Sequence, residues 1–96
     1  MTMFNPPHPG EVISGILDEL GVSERKFAQA MDIAPSTANR LTSGKTALTT
    51  ELAVKLAVVI GGSPMQWLDV QSKYNLWRVE KQGKVNLSRT HRLIMA

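Results

Sequence analysis

The residue types that most often carry chemistry are sparse in this chain and poorly placed for it. His8 and His91 are its two histidines, cysteine is absent, and no acids cluster beside either ring. Neither a metal site nor thiolate chemistry is therefore expected, and His8 reads as a turn residue ahead of a helix. Ser, His and Asp all occur, but no spacing marks out a nucleophile, a base and an orienting acid. No glycine-rich loop follows a strand to cradle a phosphate. One polar run has a definite use: Pro35, Ser36, Thr37, Asn39 and Arg40. Small residues at the start of a helix let it approach a duplex. A guanidinium can bridge two acceptors of guanine, an amide can read adenine, and hydroxyls bond bases or phosphates. That chemistry is recognition, so no catalysis and no cofactor are expected.

The elements that would position this run follow from caps and periodicity. Pro9 suits a first helical turn, with Glu11 favourable at the N-terminus. Val12, Ile13, Ile16, Leu17 and Leu20 then recur at helical spacing, and Gly21 closes the helix. Ser23 caps a second helix whose inner face is Phe27, Ala28 and Met31. Asp32 tolerates the left-handed backbone of a turn, Ile33 is a buried staple, and Pro35 opens a third helix with Ala38 and Leu41 facing inward. Thr42-Ser43-Gly44 ends it. Thr49 or Thr50 caps a fourth helix with Leu52, Ala53, Leu56, Ala57 and Ile60 on its inner face, stopped by Gly61-Gly62. Ser63-Pro64 with Gln66 forms a capping box for a fifth helix, which is expected to end near Trp77. Two short helices joined only by Asp32, Ile33 and Ala34 must cross steeply, leaving Pro35, Ser36, Thr37, Asn39 and Arg40 outward. Such pairs also occur in small bundles that never touch nucleic acid.

At 96 residues and 10.5 kDa the chain makes one domain. Its longest apolar stretch, Leu52 to Ile60, is interrupted by Lys55 and falls short of a membrane span of about 20 residues. The first ten residues have no basic start followed by an apolar run, so a cytoplasmic protein without a signal peptide is expected. The formal charge is +3 with a pI of 9.6. The excess lies in the tail, where Arg78, Lys81, Lys84, Arg89 and Arg92 face only Glu80. A basic surface attracts polyanions without selecting a sequence. The expected organisation is a helical domain over 1–77 and a basic tail over 78–96, irregular apart from a short strand-like alternation.

Several ordered stretches carry a resemblance: His8-Pro9-Gly10-Glu11, Leu20-Gly21-Val22-Ser23, Phe27-Ala28, Ala34-Pro35-Ser36, Ser43-Gly44-Lys45 with Ala47-Leu48-Thr49, and Gly62-Ser63-Pro64 with Trp67-Leu68. Together they resemble the XRE/Cro-type helix-turn-helix proteins, and above all the HigA (VapI-like) antitoxins. The resemblance implies an all-α, five-helix, lambda-repressor-like domain that dimerises on a palindromic operator. It also implies a partner, a HigB/RelE-like mRNA-cleaving toxin that the antitoxin neutralises while repressing their shared operon. By position, Pro35, Ser36, Thr37, Asn39 and Arg40 match the recognition helix. Ser23, Arg25, Lys45 and Thr46 match phosphate contacts. Glu24 stands where relatives often carry Gln, and Asp32 where they often carry Gly. Thr37, Ser43 and Thr46 stand where many carry Arg, so a modest DNA affinity is expected.

Three further expectations concern partners. Trp67, Val70, Tyr74 and Trp77 recur at helical spacing and are assigned to a homodimer interface, the competing reading being a single small core. Glu11, Asp18 and Glu19 give the first helix an acidic face suited to a basic toxin. The basic tail suits such a toxin poorly, and three readings of it stay open: a disordered arm that follows the DNA backbone by charge, a segment that orders on a toxin with Leu87, Leu93, Ile94 and Met95 as apolar anchors, or a solubilising tail. Three other functions compete: a standalone Cro/XRE-like regulator with no toxin, a small ribonuclease toxin, which would need a sheet bearing clustered basic residues, and a protein-only interaction module, which would bind no DNA even at low salt.

Overall fold

The computed structural model describes residues 5–83 and 85–94. Five helices follow one another: α1 (Pro9–Leu20), α2 (Glu24–Met31), α3 (Pro35–Thr42), α4 (Thr50–Val59) and α5 (Pro64–Gln82). No strand occurs among the described residues, including the tail as far as Ile94. There the chain makes an isolated turn in which Thr90 N–H donates to the Leu87 carbonyl at 2.9 Å. The alternation from Val85 onward finds no neighbouring strand, and without ladder bonds it stays irregular. Of the residues expected as apolar anchors if the tail orders on a toxin, Leu87, Leu93 and Ile94 are exposed, while Met95 lies outside the described residues.

Caps set most of the boundaries. Ser23, Thr49 and Ser63 accept from the backbone N–H groups of Lys26, Leu52 and Gln66. Gly21 takes the left-handed conformation at φ 67°, and Asp32 does so at φ 55°, its carbonyl accepting from Lys55 Nζ at 3.2 Å. The expected end of α5 is wrong. The helix runs on to Gln82 and stops where Gly83 turns left-handed at φ 60°, so Arg78 and Lys81 belong to the helix. A change in charge does not end a helix, whereas a glycine that accepts positive φ does.

The core gathers Ile13 and Leu17 of α1, Phe27, Ala28 and Met31 of α2, Ala38 and Leu41 of α3, Leu48 of the following loop, Ala53 and Leu56 of α4, and Trp67 of α5. Burying each large side chain is worth about 1.5–3 kcal/mol. The inner faces of α2 and α3 are as expected. Leu20, the last residue of α1, is not part of the core and is 66% exposed. Ile33, Leu52 and Ile60 pack against the core but remain half-buried. Gly10 marks the tightest approach, because a Cβ there would run into the Leu41 carbonyl oxygen. The start of α1 is thereby set against the end of α3.

Candidate nucleic-acid interface

The connection Asp32-Ile33-Ala34 makes the steep reversal between α2 and α3. Ile33 N–H donates to the Ala28 carbonyl at 3.1 Å, and Pro35 starts α3 without a side-chain cap. Phe27, Ala28 and Met31 bury one side of α2, Ala38 and Leu41 one side of α3. The opposite side of α3 therefore carries Pro35, Ser36, Asn39 and Arg40 in solvent, with Thr37 half-buried at its edge. Ser23 and Arg25 are exposed at the start of α2, and Lys45 is exposed after α3 with Thr46 half-buried. All nine expected DNA-contacting residues lie on α3, at the start of α2 or in the loop after α3.

Two exposed carboxylate contacts tie the helices together. Asn39 Nδ2 donates to Glu24 Oε1 at 3.0 Å, and Thr42 Oγ1 donates to Glu24 Oε2 at 2.8 Å. Asn39 is thus already engaged through one amide hydrogen, a contact that sequence reasoning missed.

The loop after α3 is fixed from behind. Lys45 N–H donates to the Arg40 carbonyl at 2.9 Å, and Gly44 turns at φ 78° with its Cα side against the His8 ring. Leu48 N–H donates to Gln71 Oε1 at 2.6 Å, and Gln71 Nε2 donates to Asn75 Oδ1 at 2.8 Å. His8 is more than a turn residue. It caps α1, its Nδ1 accepting from Gly10 N–H at 2.8 Å, while Glu11 reaches back to the His8 N–H. The ring also meets Tyr74 of α5 edge-on, at 5.0 Å between centroids and 80°. Burial pushes the imidazole pKa below its ordinary value; its hydrogen bond to the Thr46 backbone and the Glu11 charge raise it, and Arg78 lowers it. Gln71 and His8 thus anchor the loop to α5 and α1. Neither role had a sequence signal beyond polarity in an otherwise apolar setting.

The face assigned to dimerisation divides. Trp67 is 7% exposed in the protomer's own core, its indole N–H donating to the Gly61 carbonyl at 2.9 Å. It is not available to a partner, which corrects that expectation. Val70, Tyr74 and Trp77 are half-buried. Tyr74 and Trp77 are tilted neighbours at 6.0 Å, with Arg78 over one ring and Lys81 over the other. Leu76 at 60% and Met65 at 74% exposed are the large apolar side chains of α5 most open to solvent. On α1, Asp18 and Glu19 are exposed, whereas Glu11, also exposed, is engaged in the cap. No group of three or more His, Cys, Asp or Glu among the described residues could hold a metal. No described helix is long and apolar enough to cross a membrane.

A family model described as helix-turn-helix matches residues 15–68. The chain is 55% identical to YddM of Escherichia coli (strain K12), named an uncharacterized HTH-type transcriptional regulator, with 98% of each chain covered. It is 32% identical to antitoxin HigA-1 of Vibrio cholerae, over 79% of this chain and 72% of that protein. Among solved structures, PA4674 of Pseudomonas aeruginosa in complex with its 18-bp operator DNA matches with a TM-score of 0.80 at 25% identity, covering 95% of this chain and 97% of that one.

Proposed function

The chain belongs to the helix-turn-helix family, whose relatives here are DNA-binding regulators and antitoxins rather than enzymes, and from that premise we propose that it is a homodimeric operator-binding repressor and antitoxin. The ribonuclease reading falls with that membership. The observation carrying the proposal is the exposed ridge from Pro35 to Arg40, backed by a buried face and flanked by the exposed cations Arg25 and Lys45. Ser36, Thr37, Asn39 and Arg40 enter the major groove and meet base edges. Ser23, Arg25, Lys45 and Thr46 hold phosphates and set the register. Two copies associate through the Val70, Tyr74 and Trp77 side of α5, placing two ridges one helical turn apart, about 34 Å. Repression is steric, since the occupied operator excludes polymerase.

The toxin partner is a HigB/RelE-like basic ribonuclease seated on the acidic side of α1, where Asp18 and Glu19 are exposed. A second reading, a regulator without a toxin, is favoured by the description of YddM as a transcriptional regulator only. A gel shift on the fragment upstream of the gene, in a salt series with and without the product of the adjacent reading frame, tests both. Specific retardation that weakens with salt supports the operator role. A further shift on adding the neighbour supports the toxin. No retardation at low salt ends the proposal.

A further inference from the structure

Glu24 stands at the first position of α2, where a carboxylate is favourable to the helix dipole. Its oxygens are both directed elsewhere, one to Asn39 Nδ2 and one to Thr42 Oγ1, at 3.0 and 2.8 Å. An ionised carboxylate only accepts hydrogen bonds. The end of the Asn39 amide turned toward it is therefore the NH2, which leaves Oδ1 and one amide hydrogen for a ligand. An acceptor beside a donor complements the N6 donor and N7 acceptor that adenine presents in the major groove. An amide free to turn over would meet other base edges nearly as well. Asn39 and Thr42 lie one turn apart on α3, so the same carboxylate also fixes how α3 is rotated against α2. The charge has an opposing effect. The other exposed ionisable side chains from α2 to the loop after α3 are the cations Arg25, Lys26, Arg40 and Lys45, with Asp32 in the connection as the one further acid. A carboxylate among them weakens the attraction for every duplex alike.

We propose that Glu24 is a positioning residue for base readout: it holds the Asn39 amide in one orientation, sets an adenine preference at one step of each half-site, and lowers affinity for duplex of any sequence. The inference rests on the operator-binding reading, and its test separates the two. The full chain is used to select duplexes from a library randomised over two half-sites. Anisotropy titrations then compare the selected duplex with one in which a single A·T pair per half-site is replaced by G·C, taking each pair in turn.

Wild type, Glu24→Gln, Asn39→Ala, Thr42→Val and the Glu24→Gln/Asn39→Ala double variant are measured, each checked by thermal melting. A glutamine amide donates as well as accepts, so Glu24→Gln lets the Asn39 amide turn over. Glu24→Gln is expected to bind both duplexes more tightly while losing about ten-fold discrimination at one A·T pair. Asn39→Ala loses discrimination at the same pair, and adding Glu24→Gln to it changes nothing more. Thr42→Val keeps the discrimination. A merely structural role would shift both duplexes together. An unchanged ratio in Glu24→Gln, a loss in Thr42→Val equal to that in Glu24→Gln, or no adenine whose preference depends on Asn39 overturns the inference and leaves operator binding standing. A wild type that selects no sequence overturns the operator reading itself.

Discussion

Arg40 on the ridge and Lys45 in the loop after it are both exposed cations, yet different roles are assigned to them. A bidentate guanidinium–guanine contact discriminates between bases, whereas a lysine at a phosphate does not. Arg40→Ala should cost about 1–3 kcal/mol on the operator and relax one base position. Lys45→Ala should weaken all duplexes equally and lower the salt slope by about one, as titrations on operator and unrelated DNA at several salt concentrations will show. His8 sits behind this loop. Because burial lowers its pKa from 6.5, the unfolded chain binds that proton more readily than the folded one. The stabilising contribution of a neutral ring is complete above pH 6.5 and is lost as pH falls below it. Denaturant unfolding across pH 5–8 should show that decline, and His8→Gln should flatten it.

Among the elements, the placement of α3 depends on how closely α1 approaches it. Gly10 leaves room for the Leu41 carbonyl, and backbone cannot step aside as a flexible side chain would. Gly10→Ala should therefore destabilise by more than about 1 kcal/mol and weaken DNA binding, even though alanine favours helices. Thermal melting and operator titration will separate the two effects. The same element scale explains the length of α5. Arg78 and Lys81 rest over Tyr74 and Trp77, so part of the positive charge ascribed to a loose tail is held on a helix.

For the whole molecule, the two tryptophans of α5 have opposite assignments. Trp67 is buried in the protomer, and Trp67→Ala should lower stability by about 3–5 kcal/mol. Trp77→Ala and Tyr74→Asp act on the half-buried side and should weaken self-association first, lowering operator affinity through the lost second ridge. Sedimentation velocity at micromolar protein will read this, and a wild type that sediments as a monomer would remove the dimer. Charge is also divided across the molecule: acids on α1, cations around α3 and at the end of α5. Asp18→Lys with Glu19→Lys should reduce toxin affinity while leaving operator affinity intact or higher. Equal toxin affinity in a pull-down titration would sink the acidic-face assignment.

Caps, glycine stops and the 3.6-residue period are local properties. The sequence by itself therefore determined five helices, the tight α2–α3 connection, the inward residues Phe27, Met31, Ala38 and Leu41, and the exposure of Pro35, Ser36, Asn39 and Arg40. The tertiary structure alone decided what the polar side chains do. Glu24 meets Asn39 and Thr42 across 15 and 18 residues, and Gln71 meets Leu48 across 23, separations that leave no periodic trace. It also decided that Trp67 closes the protomer's core while Trp77 stays half-buried, because which side of a long helix is covered depends on where the other four helices stop.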